Sequence, residues 1–468
     1  MDQMTRGLFL GTAMSWVVAG MLLAMTGQAA AAQEQRPDVL FIAIEDFSPH
    51  RLGCYGNKVC QTPAIDKFAS QGLRFAQAHT NPLCCPSRTA LLLALRPGTT
   101  RVVGNSTDWH KTVPNAQPMP RHFRQHGYET VRCGKISHGR FEDETSWDRE
   151  IGAHDGLSTR RGQIQKRGPG VENRGGTSFI YGPTDGQDIS ARDGGVAEQG
   201  VRILQQRQEG DKPLLLCLGF HATHLPLHAP QKYFDMYPPE QMEIPRNPGA
   251  DASGMPPAGV FKTGNPHTLE QWREAIAAHY ACLSFIDAQV GRVLDALEES
   301  GRADRTIVVI WSDHGFMLGE HFLWRKGPLY NESTQVALLM RAPGVTKAGA
   351  VCRRPVESVD IFPTLIELCG LPQPEGIEAV SMKKLLANPA MPWKKGALMW
   401  SPGSGRSIVT QRYRYNEYAG NKKQKPELFD HETDPNEFVN LAEKLEMAEV
   451  CERMSRLLAE GWRACLPD

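Results

Sequence analysis

Three short apolar runs, each ending in residues that can bind a ligand, constrain this chain more than anything else in it. Asp38-Val-Leu-Phe-Ile-Ala-Ile44 ends in Glu45-Asp46, and Leu214-Leu-Leu-Cys-Leu-Gly-Phe220 ends in His221. Thr306-Ile-Val-Val-Ile-Trp311 ends in Ser312-Asp313-His314-Gly315. An apolar run without alternation reads as a strand buried on both faces, the habit of parallel sheets covered by helices. Ligands bind beyond the carboxyl ends of such strands. A site is therefore expected where these three ends meet.

Helical patterns lie between the runs. Pro63 to Gln71 is one, with Thr62 as its N-cap and Pro63 at its first position. Gln271 to Glu299 is the longest, and Asp360 to Cys369 is a third. Residues 140–190 and 240–268 are polar and rich in Gly or Pro, and read as long surface loops. With 100–115 and 221–270 they are expected to shape a cleft in which Trp109, Trp147 and Arg192 are candidates to meet a ligand. Ala397–Trp400, Ser407–Thr410, Tyr413–Tyr415 and Glu427–Phe429 read as short strands, followed by a helix over Ala442–Trp462. The expected fold is α/β: a large, mostly parallel mixed sheet flanked by helices over 33–380, plus a C-terminal α+β subdomain with an antiparallel sheet over 381–468.

The N-terminus has a different character. Arg6, the apolar stretch Leu8–Met25 and Ala29–Ala32 make a secretory signal over residues 1–32. An uncleaved membrane anchor is the alternative, because the stretch is near the minimum length for spanning. No later segment is apolar enough to cross a bilayer, so an exported protein, secreted or periplasmic and not inserted in the membrane after cleavage, is expected. Lys+Arg and Asp+Glu are equal at 52 each, which leaves no basic field for nucleic acid. Eleven Cys in an exported chain invite disulfides, with Cys54/Cys60 and Cys451/Cys465 as local candidates and Cys84 left over.

Cys84-Cys85-Pro86-Ser87-Arg88 precedes a helical run, and Pro86 suits a first turn. Cys84 would then stand at a helix N-terminus, where free N–H groups and partial positive charge seat an anion. A buried thiol or disulfide partner before a core helix is the alternative. Further segments accompany the motif: Leu52-Gly-Cys-Tyr-Gly56, Arg96-Pro-Gly-Thr-Thr-Arg101, Gly134-Lys-Ile-Ser-His138, Leu318-Gly-Glu-His321 and Phe362-Pro-Thr-Leu365. With them the chain resembles the sulfatase family of the alkaline-phosphatase-like superfamily, from about Asp38 to Leu441. It is most similar to the iduronate-2-sulfatase branch.

The resemblance implies that a maturation enzyme oxidises Cys84 to formylglycine (3-oxoalanine). It implies one divalent cation held by Glu45, Asp46, residue 84, Asp313 and His314, with Ca²⁺ favoured over Mg²⁺ by the carboxylate-rich set. Arg88, Lys135 and Lys326 match the family's cationic positions for sulfate. His138 matches the residue beside the hydrated aldehyde, and His224 the donor to the leaving oxygen. One hydroxyl of the hydrate attacks sulfur and the second expels sulfate, which a plain Ser could not do. A sulfated saccharide is the implied substrate. Two departures stand out. The family's Leu-Thr-Gly-Arg stretch, which helps the maturation enzyme, reads Leu92-Leu93-Ala94-Leu95, and the first acid is Glu45 where Asp is usual. They keep a non-catalytic sulfated-glycan-binding homologue as one alternative. A phosphoester or phosphonate hydrolase of the same superfamily is the other.

Overall fold

The computed structural model describes residues 36–155, 179–250, 254, 265–401, 405–418 and 425–467. The expected signal segment and parts of both expected loops lie outside these. The main sheet contains β1 (Asp38–Ile44), β2 (Leu73–Phe75), β3 (Glu129–Gly134), β4 (Arg149–Ile151), β5 (Leu214–Phe220), β6 (Thr306–Ser312), β7 (Leu338–Arg341) and β8 (Ala350–Cys352). Their order is β8-β2-β7-β6-β1-β5-β3-β4, and within it only β7 runs antiparallel.

The central strands are buried along their whole length, as apolar runs without alternation require. Their residues still alternate between two cores. Leu40, Ile42, Ile44, Leu216, Leu218 and Ile310 face the core that holds the long helix α4 (Leu269–Glu299). Val39, Phe41, Ala43, Leu215, Val309 and Trp311 face the other, with Leu91 of α2 (Cys84–Leu93) and Phe362 and Leu365 of α5 (Ile361–Leu368). Each such side chain, fully buried, contributes about 1.5–3 kcal/mol. Helix α3 (Arg192–Gln206) packs beside α4. Beyond the sheet, β9 (Ala397–Trp400), β10 (Gly405–Val409), β11 (Tyr413–Tyr418) and β12 (Glu427–Asp430) form an antiparallel meander. Helix α6 (Ala448–Glu460) covers it with Met454 and Leu458.

Several expectations need correction. Thr62 holds the N-cap position of α1 (Pro63–Gln71) and Pro63 its first position, as expected, but the Thr62 side chain accepts no N–H of the helix. The Asp287 carboxylate of α4 accepts the Ala64 and Ile65 N–H groups instead, at 3.1 and 2.8 Å. The expected loops contain strands: Arg149–Ile151 joins the sheet edge, and Tyr181–Thr184 pairs parallel with Leu227–Pro230. All eleven thiols are free, so neither proposed disulfide forms. Cys60 Sγ lies 3.9 Å from the Tyr280 carbonyl, and Cys451 Sγ 3.8 Å from that of Ala442. Among the described residues no helix is long and apolar enough to cross a membrane.

Candidate active site

The carboxyl ends of β5, β1 and β6 are laced together past the last strand residues. Glu45 N–H donates to Phe220 O (3.2 Å), and Asp313 N–H to Ile44 O (3.0 Å). Asp46 adopts a left-handed backbone (φ 48°), which Asp tolerates better than most residues. Its N–H donates to Asp313 Oδ1 (3.1 Å), and its carbonyl accepts from His279 Nε2 of α4 (2.9 Å).

Opposite these ends, α2 begins at Cys84, after extended Leu83. Every residue of the helix is buried, and Asn105 accepts the Cys85 N–H (3.0 Å). The helix ends on Ala94 in the left-handed region (φ 52°), where the family motif has Gly. A residue with a Cβ pays about 1–2 kcal/mol there.

Asp46, Cys84, Asp313 and His314 come together, with ligand atoms within 4.8 Å of one another; Glu45, Asp46, Cys84 and His224 form a second, overlapping group. His314 Nδ1 faces the Gly315 carbonyl (2.9 Å), so it carries the proton and leaves Nε2 as a lone pair. That lone pair lies 3.1 Å from Cys84 Sγ and 3.2 Å from Asp46 Oδ1. His224 is held likewise, Nδ1 to Leu225 O at 2.6 Å, and its ring stacks on His221.

Three cations close over this acidic floor. Arg88 donates to Asp313 Oδ2 (2.9 Å) and to the carbonyls of Lys135 and Ile136 (2.8 and 3.0 Å). Its Nη2 is buried and has no hydrogen-bond partner. Lys326 reaches both Asp46 oxygens (2.7 and 2.9 Å) and Cys84 Sγ (3.0 Å). Lys135 pairs with Glu45. Burial opposes charge on Lys326, but Asp46, Cys84 and Asp313 outweigh it and raise its pKa. Burial works against ionised Asp46 too, yet Lys326, the largest of the opposing charges, holds its carboxyl below the usual range. Burial lowers His314, and it lowers Lys135 with help from Arg88.

His138 is the expected residue that the structure does not bring into contact. Its Nδ1 is buried without a partner, and no hydrogen bond joins it to Cys84. Burial, then Lys135, Arg88 and Lys326, lower its pKa to about 4. Trp109 and Trp147 are buried, their ring N–H groups donating to Phe141 O and to Glu142, so neither offers a face to a ligand. Arg192 opens α3.

Sequence reasoning passed over Asp193, His279 and Gly219, and it placed His221 at a strand end without giving it a partner. His221 meets the second Glu45 oxygen, and its backbone and that of Ala222 donate to buried Asp193 (2.7 Å each). His279 steadies Asp46. A Cβ on Gly219 would meet Lys135 O at 2.2 Å, so a bare backbone is needed for Lys135 to cross the strand end. The repeated imidazole in His221-Ala-Thr-His224 was the signal available for His221.

Comparison with known proteins places these features. The model of the sulfatase family matches residues 37–371, and that of the N-sulphoglucosamine sulphohydrolase C-terminal region matches 319–463. A sulfatase of Formosa agariphila is 31% identical over 455 residues, 90% of this chain and 86% of the relative. Human iduronate 2-sulfatase is 28% identical, covering 72% of this chain and 70% of its own. Among solved structures, one in complex with D-glucosamine-2-N,6-O-disulfate aligns with a TM-score of 0.73 at 19% identity, over 92% of this chain and 98% of its own. The phosphonate monoester hydrolase of Agrobacterium radiobacter aligns at 0.74 with 21% identity, over 92% and 96%.

Proposed function

The chain belongs to the sulfatase family and is a sulfuric ester hydrolase, and from that premise we propose that it removes sulfate from a sulfated carbohydrate, in the manner of an iduronate 2-sulfatase, using residue 84 as formylglycine. The observation that carries the reading is the meeting of Cys84 with Asp46, Asp313 and His314 at the start of a helix.

The donor set fits a hard divalent cation: buried carboxylates, a neutral imidazole lone pair, and a pocket that already accepts the Lys326 ammonium between Asp46 and Cys84. Glu45, Asp46, residue 84, Asp313 and His314 would hold it, and their carboxylate content favours Ca²⁺. When bound, such an ion polarises the sulfate and acidifies a hydroxyl of residue 84.

The remaining work belongs to side chains. Oxidised and hydrated, residue 84 offers two hydroxyls on one carbon: one attacks sulfur as the bond to the alcohol breaks, and the other, on losing its proton, expels sulfate. Arg88, through its spare Nη2, with Lys135 and Lys326, seats the sulfate oxygens; each charge-assisted bond contributes roughly 1.5–3 kcal/mol. His224 keeps Nδ1–H on Leu225 O, so its Nε2 must first take up a second proton, which burial opposes and Asp46 favours, before delivering it to the leaving oxygen. His138, kept neutral by its surroundings, takes the proton during expulsion. Export through residues 1–32, conversion by a formylglycine-generating enzyme, and a division into catalytic 33–380 and C-terminal 381–468 complete the reading.

The test is direct. The tryptic peptide Phe75–Arg88 from active protein should be lighter than its sequence by exchange of sulfur and two hydrogens for one oxygen. An active preparation with an intact thiol there would sink the mechanism. Parallel assays with an aryl sulfate and an aryl phosphonate decide against the phosphonate hydrolase reading that the Agrobacterium fold neighbour raises. A panel of defined sulfated saccharides, with Cys84→Ala as control, identifies the substrate.

A further inference from the structure

We infer that the buried pair Arg414–Glu437, in the C-terminal region, consists of positioning residues for Lys326 and His314. The inference rests on the site proposed above.

Arg414 of β11 is 0% exposed and Glu437 2%. Arg414 Nε donates to Glu437 Oε1 (2.5 Å), and Nη1 to Ser407 Oγ (3.0 Å). Its Nη2 leaves the C-terminal sheet and donates to Asn331 Oδ1 (2.6 Å) and Thr334 Oγ1 (2.9 Å). Glu437 Oε2 accepts the Asn331 N–H (2.7 Å). The pair thus grips both ends of the single turn Asn331–Thr334. Inside that turn, Ser333 does two things. Its Oγ accepts the N–H of Gly327 (3.1 Å), the residue after Lys326. Its carbonyl accepts the N–H of Gly315 (3.0 Å), the residue after His314. Ser401, past β9, donates to the Gly327 carbonyl (2.8 Å).

Two residues that converge on Cys84 from different segments are therefore pinned to one turn, and that turn is pinned from the C-terminal sheet. A guanidinium suits this role because its rigid fork holds Asn331, Thr334, Ser407 and Glu437 at fixed separations, which the single amine of Lys cannot do. A buried ion pair adds little net stability by itself, so geometry is the function that the arrangement serves.

Lys135 provides an internal control, because its side chain and that of Lys326 are equally exposed at 15%. The full chain is treated with acetic anhydride, and acetylation of each lysine is quantified by peptide mass spectrometry. Arg414→Lys, which keeps the charge, should raise the labelling rate of Lys326 about tenfold through loss of the bonds to the turn, with Lys135 unchanged. Glu437→Gln, the milder change, should give a smaller rise at Lys326 alone. Ser407→Ala, which removes only a partner within the C-terminal sheet, should change neither lysine. In the same variants the KM for 4-nitrophenyl sulfate should rise in the order of Lys326 labelling. Equal rises at both lysines, reporting a loosened fold, would overturn the inference, as would unchanged Lys326 labelling in Arg414→Lys. Absence of sulfatase activity in the parent protein would instead defeat the proposed function, while labelling still decides the positioning.

Discussion

Cys84 as a thiol is poorly suited to attack. Burial pushes its pKa up to about 11, with Lys326 opposing and Asp313 and Asp46 adding to the rise. At neutral pH only about one molecule in ten thousand would carry the thiolate that makes cysteine reactive. The surroundings serve an oxygen nucleophile better, since carboxylates, cations and an imidazole lone pair converge on the same point. Cys84→Ala should lower kcat by roughly four orders of magnitude or more, as removal of a covalent nucleophile does. Cys84→Ser should release one alcohol per enzyme and then stall, because a serine sulfate has no second hydroxyl for expulsion; rapid-quench measurement of the burst checks this. Steady turnover by the Ser variant would contradict the mechanism.

Elements carry these residues through contacts that span long stretches of chain. Helix α1 receives its cap from Asp287 on α4. Asp287→Ala should therefore cost about 1–2 kcal/mol, read from the urea midpoint, as loss of a helix cap does. The glycines at the ends of β3 and β5 act at closer range, since a Cβ on Gly134 would meet Gly219 O at 2.1 Å. Gly219→Ala should push Lys135 away from Glu45 and lower kcat/KM about tenfold or more, with far-ultraviolet circular dichroism little changed. These cases also explain what could be read in advance. β1, β5 and β6 were legible because continuous apolar runs have one good solution. The chemistry at their ends followed from adjacency to Glu45, Asp46, Asp313 and His314. β3, Glu-Thr-Val-Arg-Cys-Gly, carries charge and ends in Gly, so its pattern is weak. The N-cap position of α1 was legible at Thr62, but the acceptor of its first N–H groups was not, because Asp287 is near only after folding. His221 was legible as a ligand-type residue at a strand end, but its partner Glu45 was not, because only folding brings the two together.

At the scale of the molecule, buried charge anchors the segment that leads into the C-terminal sheet. Lys394 donates to Glu357 (2.8 Å) and to both oxygens of Asp360 (2.6 and 2.7 Å), and Arg96 completes the group at Glu357. Lys394→Met leaves two buried carboxylates with one cation, and should cost about 3–5 kcal/mol in denaturant unfolding. Acid sensitivity has a traceable source as well. Burial, then His126, lowers His122 from 6.5 to about 4. The unfolded chain therefore takes up that proton first, so the contribution is intact above pH 6.5 and is lost as pH falls towards 4. Tm should drop across that window, and less steeply in His122→Gln; parallel slopes would refute the assignment.

The near-complete enclosure of Cys84, 1% exposed at the head of a wholly buried helix, would dictate an order of events for the proposed conversion. An oxidising catalyst needs the peptide in its own cleft, and the finished tertiary structure withholds it. If residue 84 is converted as proposed, conversion must come while the polypeptide is still open, so folding acts as a deadline. Adding the maturation enzyme to already native, unconverted material should achieve nothing, whereas presenting the same polypeptide in denatured form before renaturation should yield aldehyde.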